Sequence, residues 1–151
     1  MKVTVIGAGG KMGCRLTRNL KSSDYEMLYV EISERGIQNL LDLGVKPSDA
    51  PEAIPAADIV ILAVPDVALG KVSEQVIPQM HSGSLVVFLD PAVALDGKLY
   101  NRNEISYFIS HPAHPSVFNW EPTPEAQKDF FGGTLAKQVI VCTLLQGPEP
   151  D

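Results

Sequence analysis

Two constellations in this sequence have residue types and spacing suited to chemistry. The first is Gly7-Ala8-Gly9-Gly10-Lys11-Met12-Gly13, which follows directly on the apolar run Val3-Thr4-Val5-Ile6. A strand that ends in closely spaced glycines and opens into a helix lets backbone approach a pyrophosphate, and aims the positive end of the helix dipole at it. The second is His111-Pro112-Ala113-His114-Pro115. Imidazole titrates near neutral pH, so it can take a hydroxyl proton while hydride leaves the carbinol carbon for a nicotinamide. One histidine suffices for that role: His111 is the candidate, helped by His114 and the nearby Asn119.

The glycine spacing departs from G-x-G-x-x-G. Gly7 and Gly9 fill its first two positions and Met12 stands at the sixth, while Gly7, Gly10 and Gly13 form G-x-x-G-x-x-G. One extra residue widens the turn, and the context supplies what the spacing lacks: a strand before, a helix after, and an acid, Glu31, about 20 residues on. Glu31 could accept hydrogen bonds from both ribose hydroxyls and repel a 2′-phosphate, which favours NAD. Arg35 is close enough to partner a phosphate, so NADP stays open, as does the plainer reading of Glu31 as a solvated acid. At the end of a later strand, Ala63, Val64 and Pro65 lie where open α/β sheets place ligand contacts, and Asp66 reads as the N-cap of the next helix. The expected cofactor-binding set is Gly7, Ala8, Gly9, Gly10, Lys11, Met12, Gly13, Glu31, Ala63, Val64 and Pro65. No metal site is expected, because Pro112 and Pro115 break any helix that would align the two histidines, and only His81, Cys14 and Cys142 remain to complete a shell. Lys137, before β-branched Val139-Ile140-Val141, reads as structural or surface.

The elements that must position these residues alternate. A strand over Lys2 to Ile6 leads into a helix from Lys11 to Lys21, with Met12, Leu16 and Leu20 on one face. A strand at Met27 to Ile32 and a helix starting near Ser33 and stopping at Gly44 follow. A loop holds Pro47, Pro51 and Pro55. The continuous apolar runs Ile59 to Val64 and Leu85 to Leu89 read as parallel strands covered on both faces, with a helix from Val67 to Met80 between them. Beyond Asp90 come a strand near Ile105 to Ile109, a Pro-rich turn from His111 to Pro124, and a strand from Val139 to Leu145. The fold class is α/β, a doubly wound, mostly parallel sheet.

The chain has 151 residues, 45% hydrophobic and 20% charged, with a formal net charge of −6. Its size suits one domain, residues 1–151 as a dinucleotide-binding unit. Its charges form no basic cluster, which argues against nucleic acid or anionic membrane as partner and for a small ligand. The start runs straight into a strand pattern and no apolar stretch approaches the roughly 20 residues of a membrane span, so a cytoplasmic location is expected. The two cysteines are distant and expected to be reduced and at least half-buried. The end at Gly147-Pro148-Glu149-Pro150-Asp151, just after a strand, reads as a domain cut from a longer chain.

On these residues the sequence resembles the superfamily of 6-phosphogluconate, β-hydroxyacid and prephenate dehydrogenases, whose chains pair a Rossmann domain with a helical second domain. The resemblance rests on Gly10-Lys11-Met12-Gly13, Ala63-Val64-Pro65, His111-Pro112 and Leu135-Ala136-Lys137-Gln138-Val139. His111 to Asn119, Phe130-Phe131-Gly132-Gly133 and Gln146-Gly147-Pro148-Glu149 look like the group that contains D-apionate oxidoisomerase. That resemblance implies oxidation of a branched sugar acid by NAD followed by rearrangement, with His111 contributing to hydride transfer. It also implies a homodimer in the full-length form, with the helical domain missing here. Prephenate dehydrogenases usually continue their His-Pro with an apolar residue and Phe-Gly-Pro, whereas this chain has Ala113-His114-Pro115. The rival readings are a prephenate dehydrogenase-like enzyme, a non-catalytic NAD-sensing module and a methyltransferase. The last usually carries an acid just before its glycines, which this chain lacks.

Overall fold

In the computed structural model, which describes residues 1–113, 120–129, 135–137 and 139–147, strands and helices alternate along the chain. They run β1 (Lys2–Ile6), α1 (Lys11–Leu20), β2 (Glu26–Val30), α2 (Glu34–Asp42), α3 (Ala50–Ala56), β3 (Ile59–Leu62) and α4 (Asp66–Val76), which a 3-10 turn (Ile77–Gln79) extends. Then come β4 (Leu85–Phe88), α5 (Ala92–Leu95), β5 (Ser106–Ala113), α6 (Pro124–Gln127) and β6 (Val139–Gln146). The six strands form one sheet in the order β2-β1-β3-β4-β5-β6, parallel except for β6, which runs antiparallel to β5. This is the doubly wound arrangement expected from the alternating pattern.

Two apolar layers sandwich the sheet. Ile54 of α3 and Leu69 of α4 pack with Val60, Leu62, Val86 and Phe88, while Leu40 of α2 and half-buried Leu16 of α1 pack with Val5 and Tyr29. Strand side chains alternate between the faces, so a parallel strand covered on both reads as a continuous apolar run. The register places Ile6, Leu62, Phe88 and Ile109 in one row across β1, β3, β4 and β5. Gly7, Ala63 and Leu89, just past that row, therefore leave the sheet at one carboxyl edge, and His111, two residues past it on β5, lies at the same edge.

Several expectations need correction. The stretch with Pro51 and Pro55 is not all loop: Pro51 occupies the first turn of α3, where its missing N–H costs nothing, and Pro55 lies in the last turn. His111 and Pro112 do not follow β5 but belong to it. Since β4 ends at Phe88, β5 beyond Ile109 pairs only with β6, where His111 faces Val141 and Pro112 faces Ile140. Asp66 is the first residue inside α4, and Pro65 holds the capping position. Cys14 is buried but Cys142 is exposed. On α1 the buried positions are Gly13, Cys14, Arg15 and Thr17, with Met12, Leu16 and Leu20 only half-buried. Lys137, by contrast, is exposed in keeping with its reading as structural or surface, and its amide donates to Glu121 Oε1 at 2.7 Å. Among the described residues no helix is long and apolar enough to cross a membrane.

Candidate cofactor and proton-transfer site

The turn after β1 is built by backbone. Gly7 adopts φ +76°, a conformation that L side chains disfavour, and the amides of Gly7 and Ala8 both donate to the Val30 carbonyl at 2.9 and 3.1 Å. Gly10 donates to the Gly7 carbonyl at 3.1 Å and Cys14 to the Gly10 carbonyl at 2.8 Å, which starts α1. A β-carbon on Gly9 would lie 2.1 Å from the Gly36 carbonyl oxygen, and one on Gly13 would lie 2.0 Å from that of Gly7. The glycines at 7, 9 and 13 thus satisfy chain conformation and backbone-to-backbone packing. Gly10 is different: it is exposed, and three clefts of about 670, 620 and 460 Å³ converge on it. These volumes fall in the ordinary range for small-molecule pockets, about 300–1,000 Å³.

Helix α1 begins at this junction with Gly10 as its N-cap, no side-chain cap and no acid in its first turn. The first amides of a helix have no acceptor inside it, and the aligned peptide dipoles make that end positive. The arrangement fits an anionic pyrophosphate laid across Gly10.

Glu31, just past β2, is held by four donors. Oε2 accepts from Gly9 N at 3.0 Å, and Oε1 accepts from Ile32 N and Ser33 N at 2.9 Å each and from Ser33 Oγ at 3.0 Å. Partial burial pushes its carboxyl up, but the hydrogen bonds from Ser33, Ile32 and Gly9 outweigh it and hold the group below the usual carboxylate range. Glu31 lines a cleft with Gly7, Gly10, Ala63, Val64 and Pro65, so the acid meets the turn as the sequence suggests. Arg35 lines a neighbouring cleft between α1 and α2, with Lys11 and Ser33.

The third cleft runs from Gly10, Lys11 and Met12 past Val64 and Pro65 to Asp90 and His111. His111 Nδ1 is 2.8 Å from the Leu89 carbonyl oxygen and 3.7 Å from Asp90 Oδ2. One imidazole, that of His111, therefore shares a cleft with Gly10, Lys11 and Met12 of the glycine turn. His114 and Asn119 lie outside the described residues. Among the described residues no group of three or more His, Cys, Asp or Glu side chains is placed to hold a metal.

Several contributors went unread in the sequence. Gly36 leaves room for Glu31, since a β-carbon there would lie 2.4 Å from its carboxyl carbon. Asn39 Nδ2 donates to the Gly9 carbonyl at 2.9 Å, Cys14 Sγ donates to the same oxygen at 3.2 Å, and Thr17 Oγ1 donates to the Ala8 carbonyl at 3.3 Å. A glycine one turn into a helix was a usable signal for Gly36. Asn39 carried none, because the contact joins residues brought together only by the fold.

Comparison with known proteins agrees with this geometry. Residues 2–90 match the NAD binding domain of 6-phosphogluconate dehydrogenase, and residues 119–151 match the phosphogluconate dehydrogenase (decarboxylating) C-terminal family. The chain is 48% identical over 149 residues to D-apionate oxidoisomerase of Cupriavidus necator, covering 98% of this chain and 54% of that protein. Its identity to the D-apionate oxidoisomerase of Blautia hydrogenotrophica is 44% over 147 residues, covering 96% and 51%. The chain thus spans about half the length of the curated relatives it matches. A crystal structure described as a semialdehyde dehydrogenase NAD-binding protein from Cupriavidus necator, in complex with calcium and NAD, superposes with a TM-score of 0.85 at 47% identity, covering 98% of this chain and 54% of that one. An NADH-preferring ketol-acid reductoisomerase from an uncultured archean shares the fold, with a TM-score of 0.71 at 18% identity over 96% of this chain and 43% of its own. The chain belongs to the family of the NAD-binding domain of 6-phosphogluconate dehydrogenase.

Proposed function

We propose that this chain binds NAD and supports hydride transfer from a hydroxy acid, in an enzyme of the apionate oxidoisomerase kind. The observation that carries the reading is the convergence on Gly10: a helix start with no side-chain cap, a pinned acid on one side and an imidazole on the other, all at one sheet edge. The names of the relatives and the NAD held by the Cupriavidus structure support it.

NAD, when bound, supplies the hydride acceptor. The amides at the start of α1 would hold its pyrophosphate, with Gly10 giving room for close approach. Glu31 would accept from the adenosine ribose hydroxyls, and its charge would oppose a 2′-phosphate, which favours NAD over NADP. Val64 and Pro65 would border the nicotinamide side, leaving His111 to take the proton from the substrate hydroxyl. His114 and Asn119 are further candidates for contacts to the acid.

Titration of NADH followed by its fluorescence tests the reading. We expect saturable binding below millimolar concentration, relieved by NAD and unaffected by S-adenosylmethionine. No binding at millimolar NADH, or displacement by S-adenosylmethionine, would overturn it.

A further inference from the structure

The cofactor cleft ends on a side chain whose ring is held from behind. Nδ1 of His111 lies 2.8 Å from the Leu89 carbonyl oxygen, within hydrogen-bond distance, and 3.7 Å from Asp90 Oδ2, too long for a hydrogen bond. Asp90 is itself fixed, because its Oδ1 accepts from the Ala92 amide at 2.7 Å. Leu89 and Asp90 are consecutive just past the end of β4, so one short stretch presents both a carbonyl and a carboxylate to the same ring nitrogen.

We propose that Asp90 is a positioning residue for His111: together with the Leu89 carbonyl it keeps the ring proton on Nδ1 and so leaves the Nε2 lone pair as the base in the cofactor cleft. The inference deepens the reading of His111 given under Proposed function and rests on it. A carbonyl oxygen can only accept, so the hydrogen bond at Nδ1 requires the proton there, and a neutral ring then has its lone pair on Nε2. Among the described residues no hydrogen bond engages Nε2. When a substrate O–H bond breaks, its proton forms the Nε2–H bond. The electron pair left on oxygen completes the carbonyl, and the hydride leaves carbon for the oxidised dinucleotide. The ring then carries a positive charge 3.7 Å from the fixed Asp90 carboxylate, which opposes that charge without moving.

Asp90 also receives the Ala92 amide, a purely structural duty, and Asp90→Asn separates the two. Asparagine keeps the shape and the accepting oxygen but loses the charge. The readout is the pair of His111 ring 15N resonances in the isotopically labelled chain, at a pH where imidazoles are neutral. The expected result is an Nδ1–H ring in the native protein, opposite to the form that free histidine favours. In Asp90→Asn the two resonances should move toward each other as the forms mix. An Nε2–H ring in the native protein, or an unchanged Nδ1–H ring in Asp90→Asn, would overturn the proposal. The native measurement needs no variant to fold. NADH affinity is read in parallel on both proteins: its loss in the native chain would refute the cofactor reading, while the nitrogen spectrum judges Asp90 by itself.

Discussion

Gly13 lies against the carbonyl oxygen of Gly7, so close that a β-carbon on Gly13 would stand 2.0 Å from it and 2.6 Å from the Ala8 carbonyl carbon. The obstacles are backbone atoms of the cofactor turn, which cannot rotate away as a side chain can. Gly13→Ala should therefore cost about 1–3 kcal/mol, toward the upper end of the usual overpacking range, and should weaken NADH binding by displacing the turn. Denaturant unfolding and fluorescence titration measure the two effects. Unchanged affinity would show that the turn does not need this packing.

Gly44 provides the contrast. It ends α2 with φ +75°, and nothing lies within 4 Å of where its β-carbon would stand. Gly44→Ala should cost roughly 1 kcal/mol from backbone strain alone and leave NADH affinity unchanged.

Glu31 links the turn to acid stability. Its carboxyl is held below the usual range in the folded protein, so the charged form favours folding. This contribution is complete above the unfolded value of about 4.3 and is lost as pH falls through the lower folded value. Glu31→Gln should lower the melting temperature at neutral pH, and the gap should close as the pH drops below the ordinary glutamate range. A gap independent of pH would contradict this.

Tyr29 is buried, and its hydroxyl has no hydrogen-bond partner among the described residues. Burial also pushes its phenol pKa up. A buried, unsatisfied hydroxyl costs about 1–3 kcal/mol, so Tyr29→Phe should leave stability equal or raise it by about 1 kcal/mol. A clear loss in denaturant unfolding would mean the hydroxyl is satisfied.

In a full-length version of the protein, His111→Ala should spare the proposed pyrophosphate and ribose contacts and remove the proposed base. NADH affinity should stay within about twofold, while hydride transfer from a hydroxy acid should fall by about 100-fold or more. Stopped-flow absorbance at the reduced nicotinamide band measures it. Equal rates would reassign the base.

The sheet was legible because its strands declare themselves: parallel strands covered on both faces cannot alternate, so Val60, Leu62, Val86 and Phe88 fall within unbroken apolar runs. The glycine turn and Glu31 were legible for the same local reason, since both lie at strand ends. What failed was reading proline as punctuation. Pro51 sits where a helix tolerates it, and Pro112 sits in a strand beyond the end of its parallel neighbour. The individual duties of the glycines were also hidden. The spacing does not tell apart the glycines of the turn, of which Gly9 and Gly13 are packed against backbone while Gly10 opens to all three clefts. The contact of His111 with Asp90 depends on how far β5 outruns β4, which no local pattern encodes.

Amide chemical-shift mapping of the labelled chain during NADH titration tests most directly whether the start of α1 is the dinucleotide site. The resonances of Gly10 and Met12 should shift first and furthest, with Glu31, Val64 and His111 following at the same concentration. Saturable shifts that spare Gly10 and Met12, clustering instead along β6 or the outer face of α4, would contradict the account.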